Sequence, residues 1–146
     1  MRIGITRHMH LTPAIVCLVR ETLDAALSSC APERTTGVSC IAEGADTEFA
    51  QAVLDAGRRP EALLPAPDYR DTRVSKRHLP VFDAPVEAAS EVRYVAEASS
   101  METCDQANKA MIATVDRIVA GWDGQPSSSG KRAALPPRWR STPVCR

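Results

Sequence analysis

Five short strand-like segments recur along this chain, with stretches of helical periodicity between them. That alternation constrains the fold more than any other feature. The strand-like segments are 2–6, 36–41, 61–65, 92–95 and 117–122. Between them, apolar residues return at helical spacing. Ile15, Val16, Val19, Leu23, Ala26 and Leu27 define a helix from Pro13 to about Ser29, with Thr12 as cap and Pro32 as stop. Phe49, Ala50, Val53 and Leu54 define a second over 47–56, closed by Gly57. Residues 81–90 read as a short helix weakened by Pro85, and 101–114 as a longer one capped by Ser99 or Ser100. Two strands joined through a helix must run parallel, because a helix returns the chain to the starting edge of the sheet. The expected fold class is therefore α/β: a Rossmann-like, doubly wound, mostly parallel five-stranded sheet with helices on both faces. In such sheets ligands bind at the carboxyl ends of the strands, where the strand order reverses.

Composition agrees with this layering. Apolar residues make up 44% of the 146 and aromatics only 4%, so the core is built from Ala, Val, Leu and Ile, which let helices approach a sheet closely. Formal net charge is zero, and global charge gives no strong case for nucleic acid or an anionic membrane. Residues 1–125 hold all 18 acidic residues and 13 of the 18 basic ones, a net of −5 that the remainder offsets. Residues 126–146 are basic and rich in Pro and Ser, with little periodicity. The chain thus divides into a folded domain over 1–125 and an irregular tail over 126–146, the tail being either an interaction segment or the product of a changed reading frame near Ser127 to Lys131.

The five cysteines include no C-x-x-C pair and read as reduced, packed thiols of a cytoplasmic protein. No apolar run approaches the ~20 residues needed to span a bilayer, and no leader pattern opens the sequence. His8 and His10 have H-x-H spacing but lack a third ligand, so no metal and no cofactor is expected.

Three stretches carry a family resemblance. Met1-Arg-Ile-Gly-Ile-Thr-Arg-His8 is a strand running into a His-containing loop, Val38-Ser-Cys-Ile-Ala-Glu-Gly-Ala-Asp46 a strand entering a Gly-x-Asp turn, and Val115-Asp-Arg-Ile-Val-Ala-Gly-Trp-Asp-Gly124 a strand ending in Trp-Asp-Gly. Together they resemble a bacterial member of the SLOG superfamily, which includes the Lonely-Guy phosphoribohydrolases, the lysine-decarboxylase-like proteins and the DNA-processing protein A group. The resemblance covers about residues 1–125. It departs where Arg7 replaces a glycine and Met9 an arginine of the first loop. It departs again where Ser127-Ser-Ser-Gly-Lys131 stands in place of a Gly-Gly-Thr phosphate turn, and the Pro-Gly-Gly-x-Gly-Thr-x-x-Glu signature of the phosphoribohydrolases is missing.

The resemblance and the strand-end positions imply a small nucleotide-type ligand, bound as by a sensor. Gly4, Thr6, Arg7 and His8 follow or end the first strand, with Thr6 and His8 able to hydrogen-bond phosphate or ribose oxygens. Gly44 and Asp46 follow the second strand, where Asp46 either caps the next helix or meets a ribose. Tyr69 follows the third strand and could stack on a base. Asn108, a polar residue within a helix, could contact ligand, and Asp123 and Gly124 end the fifth strand. Two alternatives stand beside binding: an N-glycosidic hydrolase of nucleotides, for which Glu43 is the nearest carboxylate, or a relic that has lost its phosphate turn. Apolar residues on the helices with Ile15, Val19, Leu23 and with Ala107, Met111, Ile112, together with a bare sheet edge, lead us to expect a homodimer.

Overall fold

The computed structural model describes residues 1–7, 13–29 and 34–121. Its strands are β1 (Arg2–Arg7), β2 (Thr36–Ser39), β3 (Glu61–Leu64), β4 (Glu91–Tyr94) and β5 (Arg117–Gly121). Its helices are α1 (Pro13–Ser28), α2 (Ala45–Asp55), α3 (Tyr69–Arg73), α4 (Leu79–Ala88) and α5 (Met101–Thr114). All pairings are parallel, and the sheet order is β4-β3-β2-β1-β5. The chain thus builds outward from β1 to β4, then crosses back to place β5 on the other side of β1. The parallel α/β architecture expected from the alternation is the one found.

Side-chain alternation sorts the core onto the two faces of the sheet. On one face, Ile3 and Ile5 pack with Leu23, Leu27, Phe49, Ala52 and Val53 of α1 and α2. The same face continues through Ile41, Ala62 and Leu64 against Ala50 and Phe82 of α2 and α4. On the other face, Val38, Cys40 and Leu63 meet Ala107 and Met111 of α5. α5 therefore crosses the back of the sheet alone among the described helices. Leu23, Ala107 and Met111, which the sequence analysis offered as surface for pairing, are core residues at 0%, 0% and 1% exposure. Ile112 is the member of that set that is exposed, and the side chains of Ile15 and Val19 lie outside the described residues.

Local signals set the helix ends. Ser100 caps α5: its Oγ accepts from the Thr103 N–H at 3.1 Å, while the Ser100 N–H donates to Thr103 Oγ1 at 2.7 Å. A threonine thereby fills the place usually taken by Glu or Gln in this reciprocal cap. α2 ends as the glycine signal implied. Gly57, at φ +70°, donates to Leu54 O, and Arg58 donates to Val53 O, satisfying two terminal carbonyls. α4 begins two residues earlier than expected, with Pro80 in its first turn, and tolerates Pro85 at the cost of one backbone bond. α3 lies in a stretch, residues 66–80, for which the sequence pattern defines no element; there Tyr69 packs against Phe82 with ring centroids 5.9 Å apart, and Arg70 binds Asp83 of α4 through two hydrogen bonds. Those long-range contacts fold a segment whose own pattern is polar.

The strands approach their helices closely at two glycines. A Cβ on Gly4 would lie 2.4 Å from Met111 Sδ, and one on Gly37 would lie 2.4 Å from Val53 Cγ2 and 3.3 Å from Phe49. Met111 can swing its thioether aside, whereas Val53 is β-branched and fully buried, with no free rotamer to adopt. We therefore expect Gly37→Ala to cost about 1–3 kcal/mol through overpacking, and Gly4→Ala distinctly less. Urea unfolding of the two variants measures the difference, and equal costs would show that the two interfaces yield alike.

Candidate functional site

The order of strands reverses between β1 and β5, the place where a parallel sheet opens a crevice at its carboxyl edge. α1, which leaves β1 at this edge, packs on one face of the sheet, and α5, which leads into β5, packs on the other. The register pairs Thr6 with Ala120 and Arg7 with Gly121, so both strands end at the same level. Thr6 and Arg7 are the last two residues of β1 at this edge. His8, Asp123 and Gly124, together with His10 and Trp122, lie outside the described residues, as does the tail. Gly4 is inside the strand rather than at its end, and beneath Met111 it acts as a spacer for α5.

The β2–α2 turn forms the neighbouring part of the edge, because β2 pairs with β1. Its backbone is unusual at both ends. Ile41 has φ +50°, rare for a β-branched residue, and Gly44 has φ 111° and ψ −134°, a conformation suited to glycine alone. Buried hydrogen bonds hold the turn. Ser39 Oγ accepts the Ile41 N–H and donates to Asp46 O, both at 3.0 Å. Thr47 Oγ1 donates to Ala42 O at 2.8 Å and lies 3.1 Å from His78 Nε2. The Thr47 hydroxyl has a single proton, committed to Ala42, so His78 carries its proton on Nε2 and donates to Thr47. Gly44, not Asp46, is the N-cap of α2, and Asp46 sits in the first turn at 2% exposure. Asp46 is thus the second residue of the helix rather than its cap, and its backbone oxygen accepts from Ser39 Oγ.

Farther along the edge, Asp68 Oδ1 accepts the Ser99 N–H at 2.8 Å and ties the exit of β3 to that of β4. Tyr69 is half-buried on the Phe82 cluster. Arg70 is engaged by Asp83, whose carboxyl is held below the usual carboxylate range by those hydrogen bonds. Glu43, the carboxylate named for hydrolysis, is exposed and accepts from Arg77 at 2.9 Å. Asn108 lies midway along α5, at neither end of the sheet, and does not join the others. The structure thus brings Thr6, Arg7, Gly44 and Asp46 to adjacent strand ends and leaves Tyr69 one strand farther out. Sequence reading missed Ser39, Thr47 and His78. Ser and Thr at a strand end and in a first turn carry no signal of their own, and His78 lies in a segment to which the sequence pattern assigns no element.

Together the all-parallel sheet order and the helices on both faces define a doubly wound, Rossmann-like fold. DNA processing protein A from Streptococcus pneumoniae has a crystal structure of the same fold, with a TM-score of 0.60 at 13% identity over 82% of this chain and 40% of that one. The chain thus spans less than half the length of that protein. No protein-family model matches the sequence, and no curated protein matches it either. Among the described residues, no helix is long and apolar enough to cross a membrane, and no three His, Cys, Asp or Glu residues gather as a metal site.

The Thr47 hydroxyl carries the turn's polar core. Thr47→Val keeps the shape but leaves Ala42 O and His78 Nε2 without partners at a site that is 3% exposed. We expect a loss of about 1–3 kcal/mol, the cost of stranding buried polar groups, read by thermal unfolding. A loss of a few tenths would mean that the network does not hold the turn.

Proposed function

We propose that this chain binds a small nucleotide or nucleotide-derived ligand at the carboxyl edge of its sheet, in the crevice between β1 and β5, and acts as a sensor rather than a catalyst. One observation supports this most strongly: the strand order reverses at β1/β5 with the two strand ends in register. The turn after β2, on the adjoining strand, adds a backbone held at positive φ at Ile41 and Gly44, conformations that structures retain where they serve a site. Thr6 and Arg7 are the first residues placed to meet the ligand.

A mononucleotide fits better than a long polyanion. The domain over 1–125 has a net charge of −5, which opposes a nucleic-acid strand, while a single phosphate needs only a few local donors. The structural neighbour is by name a DNA-processing protein, so an oligonucleotide is the natural competing probe. Hydrolysis is not favoured, because Glu43 is paired with Arg77 at the protein surface.

Thermal unfolding with nucleoside mono- and diphosphates tests the proposal. A ligand at a hundredfold its Kd stabilises by about 2.7 kcal/mol, which is several degrees for a domain of this size. We expect a rise in Tm with at least one nucleotide, a smaller rise in Thr6→Ala, and no release of free base on incubation. No shift with any nucleotide at roughly millimolar concentration, or a larger shift with single-stranded oligonucleotide, would contradict it.

A further inference from the structure

β4 is an open edge of the sheet among the described residues, since it pairs with β3 and with no other described strand. Its sequence, Glu91-Val92-Arg93-Tyr94, is short and charged, and both charges lie on one face. Arg93 Nη2 stands 3.5 Å from Glu61 Oε2, and Arg93 Nε stands 3.7 Å from Glu91 Oε1. Glu61 is already held by Arg2 through both of its carboxylate oxygens. The parallel register sets Glu61 beside Glu91, so two carboxylates are neighbours. Glu91 is left with one long contact and 53% exposure, and Arg93 Nε and Nη2 make no hydrogen bond. The cluster is short of good geometry on its outer side.

From this pattern we infer that β4 is the docking edge for a second copy of this chain, joined antiparallel about a two-fold axis at Val92. The backbone allows it. Val95 donates its N–H to Leu64 O, so the alternation of a parallel strand turns the amides of Val92 and Tyr94 to the open side. A two-fold axis at Val92 makes Val92 and its counterpart a mutually hydrogen-bonded pair. Glu91 then faces the second copy's Arg93, and Arg93 faces its Glu91, on a single face of the joined sheet. Glu-Val-Arg is therefore complementary to itself in this register. Centring the axis one residue either way opposes Glu91 to Glu91 or Arg93 to Arg93, which is unfavourable. The charges that discourage arbitrary partners at an edge thus select one partner and one register. Val81, 43% exposed on α4, and Tyr94, 49% exposed at the end of β4, supply apolar surface on the elements next to that edge. This inference is independent of the ligand proposed above.

A ladder of four residues is a small interface, so the dimer is weak and concentration-dependent. Sedimentation of the full chain from roughly 5 to 500 µM should show the mass rising from 15.8 kDa toward twice that value. Arg93→Glu should weaken association roughly tenfold or more by setting like charges opposite one another. The double variant Glu91→Arg, Arg93→Glu restores complementarity and should recover dimerisation to within about threefold of the wild type. Hydrogen exchange of the wild type should show the Val92 and Tyr94 amides gaining protection as concentration rises, a readout that needs no variant. A wild type that stays monomeric throughout overturns the inference. So does an Arg93→Glu variant that dimerises like the wild type, a double variant with native melting but no dimer, or protection that ignores concentration.

Discussion

The crossing of α5 behind the sheet is the constraint on which the rest of this structure depends. β4 lies at one edge and β5 at the other, and α5 alone carries the chain between them. The helix lies close enough to use the missing side chain of Gly4, with Met111 seated above it and Ala107 against Val38 and Leu63. A right-handed crossover in that direction must pass over the opposite face from α1, α2 and α4. The reversal of strand order between β1 and β5 follows from this one return.

Much of this was legible in the residues. The five strands fall within one or two residues of their expected places, because short strand-like segments separated by helical patterns leave few other arrangements. The end of α2 at Gly57 and the cap at Ser100 follow from local chemistry alone. What escaped was set at long range. α3 exists because Tyr69 finds Phe82 and Arg70 finds Asp83, partners ten or more residues away that no local pattern reveals. The outward-facing reading of Leu23, Ala107 and Met111 failed for a related reason: helical periodicity shows that a helix has an apolar stripe, not which sheet face receives it.

The placement of the candidate residues in the fold was legible more than their surroundings. Strand ends in a parallel sheet are where ligands meet the fold, so Thr6, Arg7, Gly44 and Asp46 could be singled out before any geometry was known. Their roles then diverged. Asp46 lies buried in the first turn of α2 instead of capping it, and Gly44 takes the cap with a backbone conformation only glycine adopts comfortably. The polar groups that hold the turn in that shape, Ser39, Thr47 and His78, come from a strand end, a helix start and a segment 31 residues past Thr47. A buried network of this kind is invisible to spacing, since its members share no element.

The central claim is that ligand enters at the β1/β5 reversal. Amide chemical-shift mapping during titration with a nucleoside monophosphate tests it most directly, because it reports position as well as binding. The account requires perturbations concentrated at residues 5–7, 41–47 and 119–121, with the amino-edge cluster of Arg2, Glu61 and Arg93 unmoved. Perturbations centred on that opposite edge, or none along the carboxyl ends of β1 and β5, would contradict it.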